Sequence, residues 1–483
     1  MTIENDLPAD ISANSKASQI STKPYQATKY RFVMSVLYAM TSIINAIMWI
    51  STSPITKNLE SIYNIGLFKV NFCTSLIWFA VYPPMNFVAN YFLDEKGLRV
   101  GILLGSTLTL IGLWIRTLSQ YSFYYIFLGQ LLGAIGQPFL LNAPQKLSAV
   151  WYPQEERALS TTVASVSNPI GVGIGFVLAQ LFVRNGAEGD EGRKEVYNLM
   201  LFSAGLGSLL ILPLYFLFKN KPKVPPSKTA DTEKYSYKQS LKSLFGNTNY
   251  LIFILSLGLF WGSYNVLATV LQPIMQPYNF TESQSGNFGA ITLVSGLVGS
   301  IVWGIYVDST KKYKFSIIIC GIMSLLAMAT IALLTPQESY LLVCLGTGFY
   351  GFFTTPVFPL AYEFSAELSF PVAEAASGGL MVVMTQIFGA LGTVGIDALL
   401  TENTKAHTMI GFAVLGGVAF LGFIGFILTK EELKRTKTDN EGGENEENKG
   451  ESYANETGRG NPESSLDEVK ASLLIKPNSP SPN

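Results

Sequence analysis

The sequence is poor in charge. Asp, Glu, Lys and Arg make up 14% of its 483 residues, whereas 48% are hydrophobic. A soluble enzyme of this size typically has about a quarter of its residues charged, and the charges here are concentrated in a few segments. The composition therefore indicates a polytopic membrane protein. The formal net charge of −1 averages an acidic tail with basic loops, and we expect no nucleic-acid partner.

Cysteine, histidine and catalytic motifs are also scarce or missing. Cys73, Cys320 and Cys344 lie within apolar runs without CxxC spacing, which predicts buried inert thiols rather than a disulfide framework or a zinc site. His407 is the single histidine. The sequence contains no GxSxG, HExxH, P-loop or dinucleotide-binding pattern. We therefore expect a protein that is not an enzyme and that holds no metal or cofactor.

Long apolar runs are abundant. Twelve are long enough to cross about 30 Å of hydrocarbon as helices of roughly 20 residues. They lie near 32–56, 68–92, 99–117, 122–149, 160–183, 197–218, 249–276, 286–307, 314–334, 340–363, 377–400 and 407–429. Because the runs are continuously apolar rather than alternating, they predict an all-α protein and not a barrel. The many glycines within them favour close helix packing.

The distribution of lysine and arginine predicts the orientation and the domain organisation. Positive charge collects before the first span, in the loop 219–242 and after Lys430, and the opposite loops are poorer. By the positive-inside rule both termini are cytoplasmic. We expect five regions: a cytoplasmic N-terminal tail at 1–29, a six-helix half at 30–218, a cytoplasmic linker at 219–248, a second six-helix half at 249–429 and a disordered cytoplasmic tail at 430–483. From about residue 436, the stretch "TKTDNEGGENEENKGESYANETGRG" lacks apolar residues to fold on.

Two loops carry the same pattern of charge. Asp94 and Arg99 follow the second span in "LDEKGLR", and Asp308 and Lys311 follow the eighth in "GIYVDSTKKYK". This pair of loops resembles the loop signature of the major facilitator superfamily. The resemblance implies that each acid and base bridge neighbouring helices and act in gating, with the substrate site between the halves near the bilayer midplane. The alternative is that the charges cap ordinary helix ends.

Three longer segments narrow the resemblance. They are "GQPFLLNAPQKLSAVWYPQEERALSTTVA", "WGIYVDSTKKYK" and "PLAYEFSAELSFPVAEAASGGLMVVMTQIFGALGT". They resemble the feline leukaemia virus subgroup C receptor-related transporters, and the likeness runs from about Tyr30 to Thr429. That family is understood to move choline and ethanolamine, and some members have been associated with haem. The resemblance implies a transporter of choline or ethanolamine; the alternatives are an exporter of haem or another organic solute, and a membrane receptor that does not transport.

The central parts of the spans contain almost no ionisable residues. Arg116, Glu363, Asp397 and His407 all lie near span ends. Coupling through a titrating carboxylate at the midplane is therefore not expected. This pattern favours facilitated, gradient-driven movement by alternating access.

A quaternary ammonium such as choline suits an aromatic cage, because ring quadrupoles attract it without a hydrogen bond. Trp49 on the first span and Tyr264 on the seventh are the candidates, since the two helices face one another in this fold. If the first span ends at Ile50, Trp49 is an interface anchor instead. If the helix continues to about Tyr63, Trp49 lies near its middle and faces the cavity.

The other candidates are open to two interpretations. Alignment with the family leaves Tyr264 and Asn265 interchangeable, and Trp261 is a candidate for packing on lipid. Gln137 and Gln386 match positions described in the family as contacting substrate, and an unpaired amide in hydrocarbon is unfavourable. We expect Asn45, Asn142 and Asn168 to bond neighbouring helices. The partners that we expect are a small-molecule substrate and the lipid bilayer, with the protein a monomer in the plasma membrane.

Overall fold

A computed structural model describes residues 25–66, 69–70, 72–184, 186–400 and 404–440. The predicted N-terminal tail up to residue 24, the tail beyond 440 and the side chain of Asp397 lie outside this part. Twelve helical segments in it are long and apolar enough to cross a membrane. We number them α1 to α12: Tyr30–Tyr63, Phe72–Lys96, Leu98–Gln120, Phe123–Trp151, Gln154–Phe182, Gly189–Leu217, Thr248–Met275, Glu282–Thr310, Tyr313–Gln337, Tyr340–Ser369, Glu374–Leu399 and Lys405–Leu428.

Three of the segments are interrupted near a proline. In α1 the helix Tyr30–Ile50 is followed by the short 3-10 turn Ser53–Ile55 before helix resumes at Thr56. The other two breaks separate Phe123–Leu141 from Ala143–Trp151 in α4 and Tyr340–Thr354 from Val357–Ser369 in α10. Proline has no N–H to donate, and broken backbone at membrane depth is tolerated where protein or a cavity covers it. Because α4 and α10 hold equivalent places in the two halves, their breaks support an internal repeat.

Glycines bring neighbouring helices to backbone contact. A Cβ atom at Gly129 would lie 2.5 Å from the carbonyl oxygen of Gly112, which joins α4 to α3. A Cβ atom at Gly351 would lie 2.1 Å from the carbonyl oxygen of Thr292, which joins α10 to α8. Small residues allow this approach in lipid, and the predicted packing role of the glycines is confirmed at these positions.

One end of the bundle carries the linker 218–247, with the helices Lys228–Asp231 and Tyr237–Gly246, and also residues 430–440. We call this end the linker face. Within the described residues, every hydrogen bond between the halves lies there. For example, the Gln145 amide donates to the carbonyl oxygen of Tyr362 at 2.6 Å, and the Tyr362 hydroxyl donates to that of Leu141 at 2.8 Å. The halves are therefore held together at the linker face.

The start of the C-terminal tail differs from the sequence prediction. Residues 434–440 form a helix, and the Arg435 side chain within it is 2% exposed. The segment is ordered because its polar side chains have buried partners in the bundle, whereas a hydropathy pattern reports only apolar packing. The expectation of a disordered tail from residue 430 is therefore wrong for the first eleven residues.

Candidate substrate cavity between the two halves

Trp49 lies near the middle of α1, just before its break, and is half-buried. Its ring packs against two aromatic side chains of α2, with centroid distances of 6.3 Å to Trp78 and 5.9 Å, edge on, to Phe79. Since α1 continues to Tyr63, Trp49 does not lie at a span end as an interface anchor would. Trp49, Trp78 and Phe79 therefore form an aromatic wall in the N-terminal half.

Gln130 is hydrogen-bonded to this aromatic wall and to the break in α1. The Trp78 indole N–H donates to Gln130 Oε1 at 3.2 Å, and Gln130 Nε2 donates to Thr52 Oγ1 at 2.7 Å. Gln130 thus links α4, α2 and the break in α1. Sequence reasoning missed it, although Gln130 and Gln137 lie seven residues apart and so on one face of α4.

Gln137 is 3% exposed, and its amide has no hydrogen-bond partner among the described residues. It lies one turn from Gly133, where a Cβ atom would be 2.8 Å from the ring of Trp78. The side chain is thus on the face of α4 that packs toward α1 and α2. An amide that no protein group satisfies is suited to a ligand or a water molecule.

The C-terminal half contributes a second aromatic cluster. The Trp261 ring lies between Tyr264 and Phe358, with centroids 4.7 Å away in both cases, and Tyr264 is 6.0 Å from Tyr350. Trp261 therefore packs on protein rings, Tyr264 of α7 and Phe358 of α10. Tyr264 is half-buried within this cluster.

Asn265 points in another direction from Tyr264. A Cβ atom at Gly389 would lie 3.5 Å from the Asn265 amide nitrogen, so Asn265 faces α11. Gln386 lies on α11 one turn before Gly389 and is half-buried, with no hydrogen bond to another described side chain or backbone group. Asn265 and Gln386 thus form a polar part of the C-terminal wall, and Tyr264 belongs to its aromatic part.

The two predicted gating acids occupy equivalent positions. Asp94 Oδ2 accepts the backbone N–H of Ala376 at 2.9 Å and Oδ1 accepts that of Ala375 at 3.3 Å, at the start of α11. Asp308 accepts the N–H groups of Ala158 and Leu159, at 2.9 and 2.7 Å, at the start of α5. Each carboxylate therefore crosses to the other half and sits at a helix N-terminus, where the dipole favours negative charge.

The basic residues of the two loops do not both pair with the aspartate of their own loop. Lys146 of α4 pairs with Asp94 at 2.8 Å, whereas Arg99 donates to the carbonyl oxygen of Tyr215 at 3.0 Å and does not contact Asp94. Arg99 thus bridges α3 to α6, whereas Asp94 has its basic partner on α4. Lys311 lies 3.5 Å from Asp308 and donates to the carbonyl oxygen of Gln154. Burial lowers the pKa of Lys311, and the facing Asp308 opposes that shift.

Glu363 adds a buried cross-half contact that sequence reasoning did not assign. Its carboxylate accepts the hydroxyls of Ser148 at 3.0 Å and Thr161, both in the N-terminal half, and pairs with Arg435 at 3.2 Å. The signal available in the sequence was a glutamate within the apolar tenth span. With Asp94 and Asp308 it makes three carboxylates that hold the linker face closed.

Comparison with known proteins decides the family. A family model described as Major Facilitator Superfamily matches residues 37–393 and 252–476. The choline/ethanolamine transporter FLVCR1 of Felis catus is 31% identical over 440 residues, which cover 89% of this chain and 78% of that protein. The choline/ethanolamine transporter flvcr2a of Danio rerio is 30% identical over 458 residues, which cover 92% and 95%. The chain belongs to the feline leukaemia virus subgroup C receptor-related family of the major facilitator superfamily.

Solved transporters of the superfamily share the fold. FucP in the outward conformation matches with a TM-score of 0.65 at 14% identity, covering 83% of this chain and 100% of that one. The proton:xylose symporter XylE matches with a TM-score of 0.67 at 12% identity, covering 85% and 100%. The predicted all-α fold of twelve helices is thereby confirmed, and the chain is a multi-pass membrane transporter of this family.

Of the three asparagines expected to bond neighbouring helices, the structure shows such bonds for two. Asn45 donates to Thr109 Oγ1 at 2.9 Å, and Asn142 donates to Asn86 and Asn90, at 2.7 Å each, so both bond neighbouring helices as predicted. Asn168 makes no such bond with any described residue. No cluster of metal-ligating side chains occurs in the described part of the chain.

Proposed function

We propose that this chain moves choline and ethanolamine across a membrane by alternating access, with Trp49, Gln137, Tyr264, Asn265 and Gln386 contacting the substrate. The observation that carries the proposal is that each half has an aromatic cluster and, among the described residues, a glutamine amide without a protein partner, Gln137 in one half and Gln386 in the other. Trp49 packs against two rings of α2, and Tyr264 lies in a cluster of four rings. Relatives named choline/ethanolamine transporters, at 31% and 30% identity, support the substrate class.

The chemistry of choline fits these walls. Its quaternary nitrogen donates no hydrogen bond and is attracted to ring faces by about 0.5–2 kcal/mol per ring. Its hydroxyl requires a polar partner, and the free amides of Gln137 and Gln386 supply one. A carboxylate in the wall would add a proton-titratable site, and the candidate wall residues include none. Movement down the substrate gradient without proton coupling follows.

The linker face, with its basic residues, lies in the cytoplasm, and the plasma membrane is the proposed location. A single chain contains all of the proposed wall residues, so it works as a monomer. It moves its substrate without a chemical conversion. Asp94 and Asp308 keep the linker face closed while the cavity is open outward, with Lys146 rather than Arg99 as the base for Asp94.

Uptake of labelled choline by expressing cells is the first test. We expect saturable uptake that exceeds that of untransfected cells and that unlabelled ethanolamine suppresses, because both cations fit the same cage. Lowering the outside pH from 7.5 to 6.5 should leave the rate unchanged. Export of a fluorescent haem analogue with no choline uptake would favour the exporter alternative, and neither activity in protein present at the surface would favour a receptor.

A further inference from the structure

Arg116 is a fully buried cation at the end of the helix Leu98–Arg116 in α3. Its Nη1 donates to the carbonyl oxygen of Met48 at 2.8 Å, and its Nη2 donates to Ser51 Oγ at 3.1 Å. No carboxylate pairs with it among the residues that the structure describes. Buried arginine without an acid is unusual, because the charged form loses its hydration.

The end of the first helix of α1 explains what Arg116 does. The last carbonyl groups of a helix have no N–H donor of their own, and the helix dipole places negative charge there. In α1 this helix ends at Ile50, so the carbonyl group of Met48 belongs to its last turn. The guanidinium therefore provides both a donor for Met48 and a positive charge where the dipole favours one.

Trp49 lies between the two residues that Arg116 binds. We propose that Arg116 is a positioning residue for Trp49, which fixes the end of this helix so that the indole keeps its place in the cavity wall. Room for the side chain is built in, since a Cβ atom at Gly129 would lie 2.4 Å from Arg116 Cγ. This proposal rests on the proposed function, in which Trp49 contacts the substrate.

The test is a double-mutant cycle on the KM for choline, normalised to protein at the membrane. With Trp49 present, Arg116→Met is expected to raise KM about tenfold and Arg116→Lys less, because lysine retains the charge and one donor. With Trp49→Ala in place, the same substitutions should change KM by less than about twofold. Arg184→Met is the matched control, since that arginine is exposed and pairs with Glu191 and Glu195.

The cycle separates this role from a merely structural one. Equal fold-changes in the two backgrounds, or less protein at the membrane with an unchanged KM, would overturn the positioning role. If Arg116→Met does not reach the membrane, Arg116→Lys carries the same comparison. An unchanged KM in Trp49→Ala alone would reject the aromatic wall and this proposal with it, whereas independent effects reject only the role of Arg116.

A second inference comes from the C-terminal segment 434–440, which lies beneath the closed linker face. Arg435 pairs with Glu363 at 3.2 Å, and both side chains are 2% exposed. Thr436 gives its backbone N–H and its hydroxyl to the Glu367 carboxylate, at 3.0 and 2.7 Å. These contacts anchor the segment to α10 in the C-terminal half, from which it emerges.

The end of the segment reaches the other half. Asp439 pairs with Arg157 at the start of α5 at 2.7 Å, and both side chains are almost fully buried. Asp439 also accepts the backbone N–H and the hydroxyl of Thr229 in the linker, at 2.8 and 2.9 Å. Burial opposes ionisation of Asp439, yet Arg157 and Thr229 outweigh it and hold its pKa below the usual value. The segment is thus bonded to both halves and to the linker.

We infer that residues 434–440 are a latch, whose contact through Asp439 must break each time the linker face opens. The halves cannot separate there while Asp439 bonds α5 and Arg435 bonds α10, since the segment is too short to span an opened cleft. The latch therefore stabilises the state closed at the linker face. This inference rests on the alternating access of the proposed function, but its test below reads conformation without substrate.

The test measures how fast a maleimide labels Thr162→Cys, in a chain whose Cys73, Cys320 and Cys344 are replaced by serine. Thr162 is fully buried in α5, close to Gly304 of α8 at the closed face. Asp439→Asn and Asp439→Ala should each raise the labelling rate several-fold, as the closed state loses a buried charged contact. Glu432→Gln is the control, because Glu432 is 41% exposed and, within the part of the chain that the structure describes, forms an ion pair with the nearby Lys434 alone.

Unchanged labelling in both Asp439 variants would overturn the latch. A rise that Glu432→Gln reproduces would do the same, since loosening of the whole tail would then be the cause. The labelling experiment does not depend on choline uptake by the unsubstituted chain. Failure of the latch and failure of the proposed function are therefore distinguishable.

Discussion

Replacing Trp49 with alanine is expected to weaken choline binding by roughly thirty- to more than a hundredfold, because about 2–3 kcal/mol of ring attraction and apolar contact is lost. Trp49→Phe should retain part of the affinity, since a quaternary ammonium interacts with the ring face and offers no acceptor for the indole N–H. The measurement is the choline affinity of purified protein. Tyr264→Ala should weaken binding too, as its ring lies in the facing cluster of α7 and α10.

Trp114→Ala is the matched control for Trp49. Trp114 is 47% exposed on α3 and donates its indole N–H to Ser208 at 3.0 Å. Its removal should lower expression at most and leave choline affinity unchanged. Equal affinities in Trp49→Phe, Trp49→Ala and Tyr264→Ala would exclude the aromatic cage.

Neutralising both gating acids, with Asp94→Asn and Asp308→Asn together, is expected to favour the state open at the linker face and to slow transport. Each carboxylate at a helix N-terminus contributes about 0.3–2 kcal/mol, so each shifts the ratio of the two states by up to roughly thirtyfold. Maleimide labelling of Thr162→Cys should accelerate accordingly. The intrinsic choline affinity of the site should change little, since neither acid is among the proposed wall residues.

Substituting Lys146 and Arg99 separately tests which of the two bases supports Asp94 in gating. Lys146→Gln should accelerate labelling as Asp94→Asn does, because Lys146 pairs with Asp94 at 2.8 Å. Arg99→Gln should not, as Arg99 bonds the carbonyl oxygen of Tyr215. Labelling and transport that stay unchanged in both aspartate variants would mean that these charges merely cap helix ends.

The sequence was sufficient for the twelve spans, because continuous apolar runs in this length range have few alternatives in a membrane. It left two placements for Trp49 open, at the end of a span or within one. The structure shows a helix that ends at Ile50, a short 3-10 turn and helix again to Tyr63. The partners of charged groups were not predictable. Asp94 pairs with a lysine 52 positions away, and its helix N-terminus comes from the other half.

The roles of Gln130, Arg116 and the segment 434–440 were not predicted for the same reason, because their partners lie elsewhere in the chain. Gln130 and Arg116 act on the backbone and side chains around the break in α1, and contacts of that kind leave no periodic pattern. The segment 434–440 is polar and resembles a solvated tail in composition. Its order depends on Glu363, Glu367 and Arg157, which lie on helices far away in the chain.

Uptake of labelled choline into liposomes that contain the purified full-length chain tests the central claim most directly. We expect saturable, downhill uptake that ethanolamine suppresses, that a collapsed proton gradient does not alter, and that Trp49→Ala reduces at low choline concentration. Uptake no greater than in protein-free liposomes, or uptake that requires a proton gradient, would contradict a facilitated choline transporter with an aromatic cavity.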